Sequence, residues 1–232
     1  MYKTFILFFA GMLILTSCKK ECSCPVVPTD PFKDGLIAYY PFNGNTNDES
    51  GNSNHGIATG GVLTTDKGGN SNKAYSFDGN DYIRVPNSTS LSGVGNTFTI
   101  TAWVNNQDQL VSIVCKAAQN GATMQFRFFS DATIFIANNG KAADFTATLN
   151  PLNTWKHIAV TSDGTTAKYY LNGVLVSSVP TTPASNSNDH TTDMYIGADT
   201  HGVTEFHRGK LDEIRIYSRV LSNSEIQQVY SL

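Results

Sequence analysis

Strict alternation of apolar and polar side chains is the feature that most constrains this chain. In the run TFTITAWVN, residues 97–105, the apolar face consists of Phe98, Ile100, Ala102 and Val104. A period of two is the pattern of a half-buried β-strand, whereas an amphipathic helix repeats every 3.6 residues. Further runs rich in threonine, valine, isoleucine and aromatic residues, which strands prefer, follow almost to the C-terminus.

The segment from His157 to Ser178 predicts the clearest local topology. Its Asp-Gly at 163–164 and Asn-Gly at 172–173 are turn dipeptides that tolerate positive φ and join antiparallel strands. The segment therefore predicts a three-stranded meander.

One helix is predicted, at the C-terminal end. Ser222 with Glu225 three residues later forms a capping box, and Ile226 and Val229 follow with helical spacing. About a dozen short strands with this one short helix predict an all-β fold, with two antiparallel sheets packed as a sandwich or jelly roll.

The N-terminus predicts export and a lipid anchor. Lys3 precedes the uncharged apolar run 5–15, which is too short for a membrane-spanning helix of roughly 20 residues and fits a signal peptide. The sequence LTSC, ending at Cys18, resembles the lipobox of bacterial lipoproteins, in which cleavage precedes the cysteine and the cysteine is acylated. We therefore predict a signal peptide at residues 1–17, lipidation at Cys18, and anchoring to the outer membrane. The charged residues 19–21 resemble surface-export tags, which would display the domain outside the cell.

Residues 18–34 predict a tether, because they contain three prolines and no periodicity.

With Cys18 acylated, Cys22, Cys24 and Cys115 remain, an odd number that argues against a disulfide framework. The pattern around Cys115 predicts a buried, hydrophobic cysteine. Residues 35–232 then form one domain.

Charge excludes one class of partner. The chain has 16 lysines and arginines against 19 aspartates and glutamates, and no basic run. A nucleic-acid partner is therefore not expected, and membrane contact is expected only through the lipid.

Several motifs, in order, resemble a known family. GLIAYYPFNGNTNDESGNSNHG, residues 35–56, is similar to the opening of LamG-like jelly-roll domains of the concanavalin A-like lectin/glucanase superfamily. AYSFDGNDYIRVP, FTITAWV, WKHIAVTSDGTTAKYYLNG, MYIGAD and GKLDEIRIYSRVLSNSEIQQVY then follow in that family's order. The resemblance covers residues 35–232. It implies a β-sandwich that often holds a structural calcium ion and usually serves in binding or adhesion.

The stretch NDESGNSNHG, residues 47–56, is rich in the oxygen ligands that calcium prefers. In LamG-like domains its partner is the acidic pair of the last strand, which matches Asp212 here. We predict a structural calcium site formed by Asp48, Asn52, His55 and Asp212. The alternative is that Asp48 makes only local turn hydrogen bonds and Asp212 an ordinary buried polar contact.

A ligand site is predicted at the loops of the sandwich edge. The segment 201–208 offers one rim, formed by His201, Glu205, Phe206, His207 and Arg208. Tyr82, Trp103 or Trp155 could serve as an aromatic plate for a sugar. The alternative is that the histidines are ordinary loop residues and the aromatic side chains belong to the core.

No catalytic residues are predicted. Glycosidases of the superfamily alternate two glutamates and an aspartate on one strand, and this chain contains no such run. Strand alternation places Asp212 and Glu213 on opposite faces, so they are not expected to act as a pair. We predict a non-catalytic surface binding or adhesion lipoprotein whose ligand is a glycan or a protein. The alternatives are a structural lipoprotein in a cell-surface assembly, and a hydrolase or lyase of the same superfamily.

Overall fold

The computed structural model describes residues 32–109, 111–118, 121–128, 133–138, 141–146, 151–183, 191–199 and 205–232. The predicted signal peptide, Cys18 and His201 lie outside these residues. The strands in chain order are β1 (Leu36–Tyr40), β2 (Ile57–Thr59), β3 (Val62–Thr64), β4 (Ala74–Asp78), β5 (Tyr82–Val85), β6 (Thr97–Asn106), β7 (Val111–Ala118), β8 (Gly121–Phe128), β9 (Thr133–Asn138), β10 (Lys141–Thr146), β11 (Lys156–Asp163), β12 (Thr166–Leu171), β13 (Val174–Pro180), β14 (Thr182–Pro183), β15 (Met194–Ile196) and β16 (Arg208–Tyr217). Two helices accompany them, α1 (Thr89–Ser92) and α2 (Asn223–Ser231).

The strands form two antiparallel sheets, which confirms the predicted two-sheet fold. Sheet A has the order β13-β12-β11-β6-β16-β4-β3, and β1 also pairs with β16. Sheet B has the order β14-β10-β9-β8-β7-β15-β5-β2. The predicted meander is β11, β12 and β13, which pair in sequence with antiparallel register.

The core lies between the two sheets. The four residues of the predicted apolar face of β6 are all at most 1% exposed, as are Ile158 and Val160 of the neighbouring strand β11. On sheet B, Ile113, Val114 and Cys115 are fully buried, which confirms the buried cysteine. Removal of this apolar surface from water is the main force that holds the sheets together.

Helix α2 packs against the other face of sheet A, here called the outer face. Its Ile226 and Val229 contact Ala159, Tyr170 and Tyr217 in a second apolar cluster. The capping box at Ser222 and Glu225 is confirmed. The four-residue helix α1, capped by Ser88, was not predicted, because one turn is too short to show a helical period. No helix in the described ranges is long and apolar enough to cross a membrane.

A β-bulge interrupts β16 and overturns one expectation. The register with β6 shifts between Asp212 and Arg215, and Glu213 adopts a φ of 52°. Positive φ is rare for a residue with a side chain and re-aims that side chain. Glu213 therefore contacts Tyr39 and Arg215 of the outer face, so Asp212 and Glu213 are not segregated to opposite sides as alternation predicts.

Candidate binding site

The loop that contains NDESGNSNHG is organised by one buried carboxylate. Asp48 is 6% exposed. Its Oδ1 accepts hydrogen bonds from the backbone N–H groups of Tyr39 and Ser50, both at 2.8 Å. Its Oδ2 accepts from Ser50 Oγ at 2.8 Å and from Asn54 N at 2.9 Å. An ionised carboxylate has about four acceptor positions, so all of those on Asp48 are in use.

The other polar side chains of this loop are also paired. Asn52 donates to the carbonyl oxygens of Leu36 and Ile37, and His55 Nδ1 accepts from the backbone N–H of Asp48 at 3.1 Å. Asn54, which was not predicted as important, is 2% exposed. Its side chain donates to Ile37 O at 2.8 Å and accepts from Ser88 Oγ at 2.6 Å, which ties the loop to α1.

The predicted calcium site does not fit this arrangement. Asp48 has no free acceptor position, Asn52 presents its amide N–H to the backbone, and no hydrogen bond or ion pair joins Asp48 to Asp212 in the described part of the chain. Those parts also contain no group of three or more His, Cys, Asp or Glu side chains placed to hold a metal ion. The loop geometry matches the alternative of local turn hydrogen bonds.

Asp212 belongs to a different environment, the outer face of sheet A. It is 3% exposed, and its Oδ1 accepts a 2.7 Å hydrogen bond from the backbone N–H of Glu213. Burial raises the pKa of Asp212 to about 8, and the charges of Glu213 and Asp66 add to the shift. Asp212 is therefore largely protonated at neutral pH, because burial disfavours the charged form more than the nearby Lys67 favours it.

Next to Asp212, three polar side chains pair with one another through a hydrogen bond, an ion pair and a cation–π contact. The Tyr39 hydroxyl donates to Glu213 at 2.9 Å, Arg215 pairs with Glu213 at 2.6 Å, and the Arg215 guanidinium lies 4.1 Å above the Tyr39 ring. A cavity of about 390 Å³ borders Tyr39 and Arg215, between the turn before β1 and Leu232. Tyr39 and Arg215 are both paired with Glu213, so these two side chains offer a ligand in this cavity few free hydrogen-bonding atoms.

A second cavity opens at the edge of the sandwich, where the predicted loop residues Phe206 and Arg208 lie. This cleft, of about 290 Å³, is lined by Gly79, Asp108, Glu205, Phe206 and Arg208. It brings together three chain segments: the turn after β4, the end of β6 and the start of β16. Arg208 Nε donates to Asp78 O at 3.2 Å, and Gln107 N donates to Arg208 O at 2.9 Å, which joins the three segments.

Phe206 and Arg208 share the concave surface of the cleft, whereas His207 does not line it. His207 is fully buried, with its ring edge-on to Phe77 at 5.6 Å, so it is not a rim residue. Burial lowers the pKa of His207 to about 3. The reason is the alternation of side-chain direction as the chain enters β16: Phe206 and Arg208 line the cleft, and His207 between them is buried.

The predicted aromatic plates lie elsewhere. Tyr82 is half-buried on β5 and makes an edge contact with Tyr195 at 5.7 Å, and Trp155 is half-buried in the turn before β11. Neither lines the cleft. Sequence reasoning missed Gly79 and Asp108, although the polar run Asn105 to Asp108 at the end of a strongly alternating strand was a visible signal.

Comparison with known proteins supports the fold. A family profile described as the concanavalin A-like lectin/glucanases superfamily matches residues 77–227, which includes β6, β16 and all of the cleft residues. Among curated proteins, no significant sequence match is found.

Solved structures with the same fold come from several bacterial proteins. Domain 4 of the extracellular arabinanase AbnA from Geobacillus stearothermophilus, solved in complex with arabinotriose, is 21% identical with a TM-score of 0.65, covering 84% of this chain and 98% of that domain. The receptor-binding domain of botulinum neurotoxin C/D mosaic serotype is 17% identical with a TM-score of 0.63, covering 86% and 51%. The binding domain of Paraclostridial Mosquitocidal Protein 1 is 19% identical with a TM-score of 0.60, covering 86% and 52%. This chain therefore spans about half of the two toxin domains.

Proposed function

We propose that this chain, which belongs to the concanavalin A-like lectin/glucanase superfamily, is a non-catalytic carbohydrate-binding domain. Its binding site is the cleft at the sandwich edge. The observation that carries this proposal is the composition of the cleft, in which Phe206 and Arg208 share one concave surface with Asp108 and Glu205. Small-molecule sites are concave and combine apolar surface with a few placed polar groups.

These side chains suit the chemistry of a sugar. A pyranose or furanose ring presents C–H groups that pack on an aromatic ring, and hydroxyl groups that both donate and accept hydrogen bonds. Phe206 supplies the apolar surface, Arg208 supplies donors, and the carboxylates supply acceptors. The contact of Arg208 Nε with Asp78 O holds the guanidinium in place, so less side-chain entropy is lost on binding.

The structural neighbours are consistent with a binding role. The arabinanase domain was solved with arabinotriose, and two toxin neighbours are a receptor-binding domain and a binding domain. Because all share the fold at low identity, they support a binding module in general and leave the ligand to be identified from the cleft.

The test is a glycan array probed with the full-length chain in detergent, followed by calorimetric titration of the strongest glycan. Arg208→Ala is expected to weaken binding about tenfold or more, equivalent to about 1.4 kcal/mol. Lys168→Ala, which removes a cation from β12, is the matched control and should bind like the unaltered protein. Equal affinity of both variants would place the site elsewhere, and silence on the array would remove carbohydrate binding altogether.

We further propose that the domain is exported and lipid-anchored to the outer membrane through Cys18, as the lipobox-like sequence predicts. Metabolic labelling with radioactive palmitate in a bacterial host should label the protein, and Cys18→Ser should abolish the label. Labelling that survives this substitution contradicts the anchor. Protease treatment of intact cells then separates external from periplasmic display.

A hydrolase is a second candidate, because Asp108 and Glu205 line the same cleft. Glycosidases use two carboxyl groups on either side of the scissile bond. If the cleft were catalytic, Asp108→Asn and Glu205→Gln would abolish release of reducing sugar from a bound oligosaccharide. If it only binds, the unaltered protein releases none over many hours.

Packing into a surface assembly is a third candidate, favoured by exposed aliphatic residues on the edge strand β13. Val174, Leu175 and Val176 are 62%, 41% and 50% exposed. Because β13 carries no charge, a second copy of the chain could pack on it without like-charge repulsion. Under this candidate, Leu175→Lys converts dimer to monomer in sedimentation of the full-length chain in detergent, whereas Val62→Lys on the opposite edge does not. A monomeric unaltered chain at high concentration rejects it.

A further inference from the structure

Arg208 is an exposed side chain that lines the cleft, and its backbone is held from both sides. It lies opposite Asp78 in the β4–β16 ladder. Its carbonyl oxygen accepts a hydrogen bond from Gln107 N, just beyond β6, at 2.9 Å. Because the neighbouring segments fix the Cα atom of Arg208, only the side-chain torsions decide where its guanidinium points.

The guanidinium turns one side towards the loop after β4. Its Nε donates to Asp78 O at 3.2 Å. A Cβ atom at the next residue, Gly79, would lie 3.2 Å from Nε, 3.4 Å from Nη2 and 3.6 Å from Cζ. The side of the group that carries Nε and Nη2 therefore faces this backbone. Since a guanidinium is planar and rigid, Nη1 and the second N–H of Nη2 point away from it.

Gly79 makes this arrangement possible. Its φ of 104° lies in a region that residues with a side chain rarely adopt. A methyl group at this position would also approach the Arg208 Nε more closely than an ordinary van der Waals contact. It would therefore push the guanidinium away from Asp78 O. Gly79 is a positioning residue, because it acts on a ligand through Arg208.

The outward side of the guanidinium is both accessible and available. In the described parts of the chain, Asp78 O is the acceptor bonded to the Arg208 side chain, and it uses only Nε. The remaining N–H groups form a fork of parallel donors in a fixed geometry. Because Arg208 is exposed, a ligand in the cleft can reach this fork.

Such a fork fits two adjacent oxygen atoms, which belong either to a carboxylate or to two neighbouring hydroxyl groups. Asp108 is exposed and lines the same cleft, and its ionised carboxylate can only accept hydrogen bonds. A hydroxyl group can accept from Arg208 and donate to Asp108, whereas a ligand carboxylate cannot donate. The two side chains together therefore favour hydroxyl groups.

We propose that the cleft recognises two hydroxyl groups on adjacent ring carbons of a sugar, through the Arg208 fork that Gly79 keeps in position. This inference rests on the proposed carbohydrate-binding function. It adds the feature by which a sugar is selected, namely a free pair of adjacent hydroxyl groups. Sugars that lack such a pair leave part of the fork unpaired and bind more weakly.

The first experiment compares long oligosaccharides of one sugar with different linkages, applied to the full-length protein in detergent. Internal residues of β-1,4-xylan have free hydroxyls on the adjacent carbons 2 and 3, whereas those of β-1,3-xylan have them on carbons 2 and 4. Glucans of the same two linkages form a second pair. The 1,4-linked members should bind about tenfold or more tightly.

Oligogalacturonate and its methyl ester separate hydroxyl groups from a carboxylate, because esterification removes the charge and keeps the adjacent hydroxyls. Loss of binding on esterification would assign the fork to a carboxylate and overturn the inference. Equal binding of the two linkages would overturn it as well, while carbohydrate binding stands. Silence of every glycan on the array contradicts the proposed function itself.

The second experiment tests the fork. Arg208→Lys keeps the positive charge but replaces the planar fork by a single ammonium group. It should weaken binding of the strongest glycan about tenfold or more, nearly as much as Arg208→Ala. Full affinity of Arg208→Lys would show that charge alone is recognised, which contradicts recognition by a fork.

The third experiment tests the position of the fork. Gly79→Ala should weaken binding about threefold or more, and it should have no further effect in a protein that already carries Arg208→Ala. Gly51→Ala is the matched control, since Gly51 has a similar φ of 99° but a Cβ atom there meets nothing within 4 Å. The control should lose stability and keep its affinity. Unchanged affinity of Gly79→Ala, or an equal loss with and without Arg208, would show that Gly79 does not act through Arg208.

Discussion

The N-terminal loop and the cleft region are both dense in polar side chains, and they differ in how those side chains are used. In the loop, Asp48 fills all its acceptor positions and Asn54 is bonded through its side chain and its backbone. Near the cleft segments, the side chains of Asn106 and His207 are buried and have no hydrogen-bond partner among the described residues. Polar density therefore does not identify a binding site. A binding site needs polar atoms that are both unpaired and accessible, because a ligand can bind only atoms that it can reach.

The largest expected effect comes from a substitution in the N-terminal loop, whose polar side chains are paired. Asp48→Ala leaves the backbone N–H groups of Tyr39, Ser50 and Asn54 without their acceptor, and we expect a loss of about 3 kcal/mol in the free energy of unfolding. Denaturant titration measures it. Asp66→Ala is the matched control, since Asp66 also accepts from two backbone N–H groups, of Gly68 and Asn70, but in an exposed turn.

Water can replace the lost bonds at Asp66, so that control should cost about 1 kcal/mol or less. Equal losses at the two sites would mean that burial of Asp48 contributes little. Glycan affinity should not change in either variant, because neither residue lines the cleft.

The next effect concerns Asp212, a buried polar residue that belongs to neither region. Its folded pKa of about 8 lies above that of the unfolded chain, so its favourable contribution is fully present below about pH 4 and is lost as the pH rises towards 8. Asp212→Asn keeps an oxygen for the Glu213 N–H and cannot ionise. Between pH 5 and pH 7 its stability relative to the unaltered protein should rise by up to about 2.7 kcal/mol. A constant difference across this range contradicts a raised pKa.

A smaller expected effect is the pH dependence of stability that comes from the two buried histidines. Burial lowers the pKa values of His157 and His207 to about 3. Both stay neutral in the folded state while the unfolded chain takes up protons below about pH 6.5. Their contribution is therefore present above pH 6.5 and is lost as the pH falls towards 3. His157→Gln should reduce the loss of stability between pH 6.5 and pH 5.5 by about 1 kcal/mol, measured by denaturant titration at each pH.

The smallest expected effect concerns calcium. Because the acceptor positions of Asp48 are occupied by N–H and O–H donors, the melting temperature should be the same in excess chelator and in millimolar calcium, with magnesium as a control. A site filled at 100 times its Kd would add about 2.7 kcal/mol. Such a stabilisation would show that the loop rearranges around calcium, and it would restore the predicted Asp48–Asp212 site.

The fold was largely predictable from local patterns. The alternation of residues 97–105, the turns of the 157–178 meander and the capping box at Ser222 are confirmed. Each depends on neighbours within a few residues, and the period-two pattern alone fixes which face of a strand is apolar. Of the candidate site, Phe206 and Arg208 line one cleft, and they could be grouped from the sequence because they are close in the chain.

The tertiary structure decided everything that depends on residues distant in sequence. Three outcomes depend on how separate strands meet. They are the choice of hydrogen-bond donors to Asp48, the face of the sheet on which Glu213 lies, and whether the His207 ring has a hydrogen-bond partner. The bulge at Glu213 reverses the side-chain direction that simple alternation predicts. The close approach of Gly209 to Asn105 adds a contact that alternation does not describe. The sequence alone determined which residues can form strands and which carry hydrogen-bonding atoms. Packing determined which of those atoms are used by the fold and which remain for a ligand, because hydrogen-bond satisfaction depends on three-dimensional proximity.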